Sequence, residues 1–315
     1  MFTKDRPRKE IPLGPDFILA LRKYSELNVV DVPLQIVKFS DVLANYITKE
    51  IPKLAENTRR TYLAAIKHLA ASFNDAPLDQ IRAVHIRQFL DDHSDTPTTA
   101  NRCKRVFSTI WNKAREWDYT TISNPCLGVR GHAVGKRDVY ITDTIFKAVW
   151  QHGDAPLRDA MDLAYLTGQR PADALQMSVR DIESGYLKVK QDKTRKRLRI
   201  EIIGELKNLL ERIESRKAEH NIVTDALLVN LHGKRLTVPA LRYQFDKARK
   251  LAKVALPEAE DDLSEFIFYD LRAKAADDTK DQRGEQAATD LLGHDSVKTT
   301  QRHYFRNGKK VQPTK

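Results

Sequence analysis

Residues 291–304 are LLGHDSVKTTQRHY, the last of four short motifs that decide the fold of the second half of the chain. Before it, YDLRAKAADD at 269–278 places an arginine on a predicted helix. QDKTRKR at 191–197 places a lysine at the tip of a predicted β-hairpin whose turn is DKTRK, and TGQRPADAL at 167–175 places another arginine in a turn before a helix. A single arginine is usually a surface charge. The information therefore lies in the order of the four motifs.

This order resembles the tyrosine recombinase (phage integrase) family, whose usual pattern is TGxRxxEx, a hairpin lysine, HxLRH, LGH and a tyrosine shortly afterwards. The resemblance covers most of residues 140–306. It implies a mainly α-helical fold with a small antiparallel β-sheet (α+β), made of a helical core-binding lobe and a catalytic lobe. It also implies a site-specific recombinase that cuts and rejoins DNA through a 3′-phosphotyrosyl intermediate.

The resemblance assigns six catalytic residues: Arg170, Lys193, Tyr269, Arg272, His294 and Tyr304. Two arginines fit the non-bridging oxygens of a phosphate with planar, permanently charged forks. The hairpin lysine can protonate the departing 5′ oxygen, and the histidine can hydrogen-bond the phosphate. A phenolate ester of DNA conserves the bond energy, so neither ATP, a metal nor another cofactor is expected. Asp173 stands where the family often has Glu, and we expect it to orient the first arginine by a charge-assisted bond.

Three other basic residues of the hairpin, Arg195, Lys196 and Arg197, could replace Lys193 or bind the DNA backbone. Lys193 is preferred because it alone directly precedes the threonine, as in the family's pattern. Outside this context, the usual interpretation of His294 would be a capping or core histidine.

Two departures from the family pattern affect the expected chemistry. Tyr269 stands where the family usually carries His or Lys, and a neutral phenol is a poor base at neutral pH. Tyr304 follows His294 by ten residues, one more than is usual, and His303 takes the expected position. A one-residue bulge or a helix offset would absorb this slip. No other tyrosine follows Tyr269, so Tyr304 is the predicted nucleophile.

The chain has 315 residues, a formal net charge of +11 and a pI near 9.5. This excess suits double-stranded DNA, the partner that the resemblance implies. The candidate phosphate contacts lie on two helices and the hairpin: Arg59, Arg60, Lys67, Arg102, Lys104, Arg105, Arg195 and Lys196. For any single helical residue, a solvated face explains the charge equally well. The two cysteines, Cys103 and Cys126, lack metal-ligand spacing and are expected to be buried thiols.

Four segments are expected along the chain. Residues 1–35 form an appendage that resembles the end of an arm-binding module, and 36–130 form a helical core DNA-binding domain. A linker at 131–140 leads to a catalytic domain at 141–315. The linker overlaps the Gly-rich basic stretch 124–138, which could let two bodies close around a duplex or be an ordinary surface loop.

Local signals also predict helix starts and connecting segments. Ser40 is expected to cap one helix and Thr98 or Thr99 another. ALLVN at 226–230 is expected to be a short strand, and PEAEDD at 257–262 a solvated acidic loop.

The start, MFTKDRPRKE, lacks the apolar stretch of a signal peptide, and no apolar run approaches the ~18 residues of a membrane span. We therefore expect a cytoplasmic, nucleoid-associated protein of a bacterial host. In the family, four subunits assemble on two DNA sites and exchange strands through a Holliday junction, and accessory DNA-bending proteins could assist. Integration or excision of a prophage-like element is the expected role. The alternatives are a type IB topoisomerase-like relaxing enzyme and a DNA-binding protein whose catalytic lobe is inactive.

Overall fold

The computed structural model describes residues 12–27, 36–308 and 311–314, and the chain divides after Gly135 into two compact units. In the predicted N-terminal appendage, α1 spans Phe17–Leu27. Most of the remaining appendage, including the start of its KEIPLG stretch, lies outside the described residues.

The first unit is built from helices around an aromatic core. Its further helices are α2 (Phe39–Lys49), α3 (Glu56–Phe73), α4 (Ala83–Asp92) and α5 (Pro97–Glu116). The rings of Phe39 and Phe107 stack with their centroids 4.9 Å apart, and Trp111 continues the stack. The apolar face of α5 is made of Val106, Ile110 and Trp111, which lie at helical spacing and are all buried. Cys103 and Cys126 are buried free thiols, as expected.

The predicted caps of two of these helices are wrong. Ser40 lies inside α2, and the Asp41 carboxylate accepts the backbone N–H of the capping residue instead, at 2.8 Å. Helix α5 begins at Pro97, ahead of Thr98 and Thr99. Proline suits the first helical position because its missing N–H would have no partner there.

The predicted interdomain stretch remains attached to the first unit over much of its length. The Asn124 side chain donates to the Ser108 carbonyl at 3.0 Å, and His132 and Asn101 bond each other. Arg137 in turn bonds Asp270 of the second unit. The change of unit therefore falls between His132 and Arg137.

The second unit contains α6 to α14 and three strands. The helices are α6 (Asp143–His152), α7 (Ala155–Thr167), α8 (Pro171–Gln176), α9 (Gly204–Glu219), α10 (Val238–Ala255), α11 (Glu260–Glu265), α12 (Asp270–Arg283), α13 (Glu285–Leu292) and α14 (Val297–His303). The strands β1 (Ile182–Glu183), β2 (Tyr186–Lys190) and β3 (Arg197–Glu201) form an antiparallel sheet in this order. Lys190 pairs with Arg197, which confirms the hairpin, and its loop spans 191–196, one residue more than the predicted turn DKTRK. The expected mainly α-helical fold with a small antiparallel sheet is confirmed.

Two connecting segments differ from their predictions. ALLVN forms isolated bridges, at Ala226 and Val229, instead of a strand. The acidic loop is a 3-10 turn, Pro257–Ala259, followed by α11. Acidic residues fill the first turn of α11, where the positive end of the helix dipole stabilises them. None of the helices described is both long and apolar enough to span a lipid bilayer.

Helix α12 runs through the interior of the second unit and carries charged residues there. Asp270, Arg272, Lys274 and Asp277 on this helix are all buried. Each has a partner of opposite charge or a carbonyl, as the cost of burying a charge requires. The buried arginine of α12 thus has a fixed position, from which the candidate site is built.

Candidate active site

One cleft of the second unit brings the six predicted catalytic residues together. It has a volume of about 580 Å³, and its lining includes Arg170, Lys193, Tyr269, His294 and Tyr304. Arg272 lies beneath this lining, with its guanidinium carbon 5.1 Å from the ring centre of Tyr304. Among the described residues, no group of three or more Cys, His, Asp or Glu side chains could hold a metal ion.

Arg272 is held by the ends of two helices. Its side chain is only 1% exposed, and it donates to the carbonyls of Gly168 (2.6 Å) and Leu292 (2.8 Å). These residues cap or end α7 and α13, whose C-terminal carbonyls carry partial negative charge. Burial lowers the pKa of the guanidinium, but an arginine stays charged in a protein. The cleft therefore has a fixed positive charge at its base.

Arg170 supplies a second positive charge from the N-terminus of α8. Its Nη1 donates to the side-chain oxygen of Gln191 at 3.3 Å and lies 3.6 Å from Asp173 Oδ2. The latter is an ion-pair distance, too long for a hydrogen bond. The other carboxylate oxygen of Asp173 accepts the backbone N–H of Asp192 at 2.9 Å. Asp173 is thus a charged neighbour of Arg170, and the side-chain hydrogen bond of Arg170 is accepted by Gln191.

His294 follows a left-handed glycine and is neutral. Gly293 has φ +67°, which turns the chain sharply after α13. Nε2 of His294 lies 3.2 Å from Arg272 Nη2, and Nδ1 lies 2.8 Å from Thr300 Oγ1. Because a guanidinium only donates, Nε2 accepts and Nδ1 carries the proton. Burial, with the charges of Arg272 and Arg170, lowers the pKa of His294 to about 4.

The end of α14 places Tyr304 in the cleft despite the longer spacing. The helix ends at His303, and the backbone N–H of Tyr304 still bonds the Thr300 carbonyl at 2.8 Å. Tyr304 is 8% exposed, whereas His303 is exposed. The His294–Tyr304 spacing, one residue longer than usual, thus still places Tyr304 beside Arg272 and His294.

The two tyrosine hydroxyls of the cleft are hydrogen-bonded to each other. The oxygens of Tyr269 and Tyr304 lie 2.9 Å apart. Burial alone would raise the pKa of Tyr304, but the charge of Arg272 and the bond from Tyr269 outweigh it and lower the pKa below 10. Burial and the same bond raise the pKa of Tyr269 to about 12. Tyr304 is therefore the more acidic phenol, and Tyr269 is the donor to its phenolate.

Lys193 differs from its basic neighbours in the hairpin loop. It is exposed, lines the cleft and has no hydrogen-bond or ion-pair partner in the described part of the chain. Lys196 pairs with Asp295, and Arg195 is exposed outside the cleft lining with φ +58°. Lys193 is thus the loop cation available to a ligand in the cleft.

The predicted DNA contacts of the first unit lie on two helices. Arg59, Arg60 and Lys67 are exposed within one face of α3, although Arg60 pairs with Glu56 at 2.6 Å and Arg59 donates to the Pro52 carbonyl. On α5, Arg102 and Arg105 are exposed on a common face. Lys104 points elsewhere, and its ammonium bonds the Val129 carbonyl.

A buried charge cluster behind Tyr304 was missed by sequence reasoning. Arg306 donates to Asp270 at 2.6 Å, and Arg137 binds the same carboxylate. Asp277 accepts the backbone N–H of Arg306 at 3.0 Å. These bonds fasten the segment after Tyr304 to α12. Charged residues inside the YDLRAKAADD motif were the available signal, but their partners lie far away in sequence.

A pair of buried glutamines was also missed. Gln169 and Gln191 are both 0% exposed, and they bond each other at 2.8 Å. The signal was weak, because nothing in either motif distinguishes its glutamine from an ordinary surface residue.

Comparisons with known proteins show the family of the chain. The family model described as the phage integrase family matches residues 141–310, and that described as the phage integrase N-terminal SAM-like domain matches 38–93. The integrase of Enterobacteria phage 434 is 27% identical over 255 residues, covering 77% of this chain and 68% of the relative.

Solved structures show the same fold. A lambda integrase (75–356) dimer bound to a COC′ core site matches with TM-score 0.74 and 22% identity, covering 89% of this chain and 99% of that one. A lambda integrase tetramer bound to a Holliday junction matches with TM-score 0.75 and 22% identity, covering 98% and 94%.

Proposed function

The chain belongs to the phage integrase family and is a site-specific DNA recombinase, and we propose that it cuts each strand with Tyr304. The observation that carries this proposal is the position of the Tyr304 phenol, which lies beside Arg272, His294 and Tyr269 in one cleft. The phenol oxygen attacks phosphorus, the bond from phosphorus to the 5′ oxygen breaks, and the 3′ phosphate remains on the tyrosine. Rejoining reverses these steps.

The surroundings of Tyr304 favour the phenolate that must attack. Its pKa is lowered chiefly by the charge of Arg272, against the effect of burial. Tyr269 donates a hydrogen bond to the phenolate and keeps it through the transition state until the new ester has formed. The proton of Tyr304 leaves to solvent. Tyr269 is therefore a hydrogen-bond donor in this mechanism and not a general base.

Arg170 and Arg272 stabilise the charge of the pentavalent phosphorane. Removing one preorganised donor at a transition state typically costs ~3–4 kcal/mol. His294 supports Arg272 while the cleft is empty of DNA, because its Nε2 accepts from the guanidinium. A bound phosphate would raise the pKa of His294, and the protonated ring would then donate to it.

Lys193 protonates the 5′ oxygen as it departs. Its exposure in the loop between β2 and β3, and its lack of a partner among the described residues, support this role. An ammonium next to DNA is a suitable general acid because it loses one proton and keeps others for hydrogen bonding.

We further propose that four copies act together on two DNA sites and exchange strands through a Holliday junction. The shared fold with the lambda integrase tetramer bound to such a junction supports this assembly. The exposed arginines and lysines of α3 and α5, in a chain of net charge +11, suit contacts with DNA phosphates. The expected setting is a bacterial cytoplasm, where the enzyme integrates or excises a prophage-like element with DNA-bending accessory proteins.

A nicked suicide substrate tests the chemistry. The fragment beyond the cleavage site diffuses away after cutting, so the wild-type enzyme should accumulate a covalent complex that survives denaturing gel electrophoresis. Tyr304→Phe should bind the same DNA and form no such complex. Tyr165→Phe is the matched control, since its hydroxyl bonds Asp278 away from the cleft lining. A covalent complex formed by Tyr304→Phe would contradict the assignment.

A further inference from the structure

Gln191 connects three of the four motifs through one buried amide. Its Nε2 donates to the side-chain oxygen of Gln169 (2.8 Å) and to the carbonyl of Leu292 (2.8 Å). Its Oε1 accepts from Arg170 Nη1 (3.3 Å) and from the hydroxyl of Thr194 (2.6 Å). The TGQR turn, the hairpin loop and the end of α13 therefore meet at this side chain.

Only an amide matches these four partners. Two of them are oxygens that require donors, and two are donors that require an acceptor, so the amide has one correct orientation and uses its whole capacity. A glutamate would offer the two oxygens nothing but repulsion, and an apolar side chain would remove the donor to the buried Gln169 oxygen and the side-chain acceptor of Arg170.

The same residue closes the loop that carries Lys193. The backbone N–H of Gln191 bonds the Lys196 carbonyl at 2.8 Å, and its carbonyl accepts from the N–H of Arg195 at 2.9 Å. The side-chain bond to Thr194 fixes the residue next to Lys193. The loop is thus fastened at both ends and at one point inside, while the Lys193 side chain is exposed.

We propose that Gln191 is a positioning residue for strand cleavage. It holds Lys193 and Arg170 so that both side chains reach the same phosphate. The inference rests on the proposed function. It adds that the general acid and one phosphate-binding arginine are set by a common side chain. A misplacement of about 1 Å by a distant change can cost about a hundredfold in rate.

A purely structural glutamine and a positioning glutamine differ in one measurable respect. If Gln191 positions the general acid Lys193, replacing Gln191 should slow cleavage less when the leaving group needs no proton. A DNA with sulfur in place of the bridging 5′ oxygen provides this, because a thiol ionises near pKa 8.5, far below an alcohol.

The experiment measures single-turnover cleavage of nicked substrates with bridging oxygen and with bridging sulfur. Gln191→Met should slow cleavage of the oxygen substrate about a hundredfold and of the sulfur substrate by less than about tenfold. Thr194→Val removes the hydroxyl that bonds Gln191 and should fold normally, because Thr194 is an exposed residue. It should slow the oxygen substrate up to about tenfold and leave the sulfur substrate unchanged. Lys193→Ala is the benchmark for full rescue by sulfur.

Gln244→Met is the matched control, because Gln244 bonds Asp154 outside the cleft lining. This variant should cleave both substrates at wild-type rates. Equal slowing of Gln191→Met on both substrates would overturn the proposal, and so would wild-type rates of Thr194→Val on the oxygen substrate. If the wild-type enzyme formed no covalent complex with either substrate, the proposed function itself would fail. A normal wild-type complex together with unaffected variants would overturn this inference alone.

Discussion

Removing the Tyr269 hydroxyl should shift the pH dependence of cleavage without changing its plateau. This hydroxyl lies 2.9 Å from that of Tyr304 and donates to the phenolate. A hydrogen bond to a charged group is worth roughly 1.5–3 kcal/mol, and the 38% exposure of Tyr269 favours the lower limit. About 1.4 kcal/mol corresponds to one pKa unit, so Tyr269→Phe should raise the pKa of Tyr304 by about one unit.

The sign of the effect follows from the reacting form. Below the pKa of Tyr304, the rate is proportional to the phenolate fraction, so Tyr269→Phe should be about tenfold slower there. Above both pKa values the two enzymes should cleave at the same rate. Single-turnover cleavage of the nicked substrate over a range from about pH 6 to about pH 10 measures the shift.

Tyr165→Phe serves as the control and should follow the wild-type profile, since its hydroxyl bonds Asp278. Equal slowing of Tyr269→Phe at every pH would refute the reasoning, because it would mean that Tyr269 acts on the phosphate or on the fold. A variant as inactive as Tyr304→Phe would make Tyr269 an essential catalytic group.

Three further predictions follow from the cleft. Arg170→Ala and Arg272→Ala should each raise the barrier to single-turnover cleavage by ~3–4 kcal/mol, with little change in DNA affinity by gel shift. If the cleavage rate and the DNA affinity fell in proportion, the two arginines would be ordinary backbone contacts. His294, with its pKa lowered to about 4, is neutral when folded, so the unfolded chain binds more protons below pH ~6.5. Its contribution to stability, up to about 3 kcal/mol, is complete above that pH and is lost as the pH falls to about 4. His294→Gln should flatten this part of the denaturation profile, and an unchanged pH dependence would contradict the shift. Gly293→Ala should cost ~1–2 kcal/mol for its backbone and slow cleavage as well, because its Cβ would lie 2.9 Å from Gln191 Nε2. Gly185→Ala, at φ +79° with open space, should cost stability only, and equal cleavage by both variants would exclude the steric effect.

Elements that depend on local periodicity were predictable from the sequence. The buried face of α5 follows from apolar residues at helical spacing, and the hairpin follows from alternation around a basic turn. ALLVN also has a strand-like composition, but pairing depends on neighbours that its own sequence does not specify. Helix ends were less predictable, because Pro97 and Asp41 compete locally with the usual Ser and Thr caps.

The six candidate catalytic residues could be named only because the motif order resembles a known family. Arg170 and Arg272 are a hundred positions apart, and no periodicity says that they share a cleft. The residues around them were not predictable, since Gln191 and Asp270 acquire their roles from partners distant in sequence. A buried polar side chain is identified by its partners, and these become known only with the fold.

The most direct test of the account is to identify the residue that carries DNA after cleavage. The trapped complex is digested with trypsin and nuclease, and the peptide bearing a nucleotide is sequenced by mass spectrometry. If Tyr304 is the nucleophile, the nucleotide is found as a 3′-phosphotyrosine at Tyr304, in the tryptic peptide of residues 303–306. A nucleotide on Tyr269, in the peptide of residues 254–272, or on any residue other than Tyr304, would contradict it.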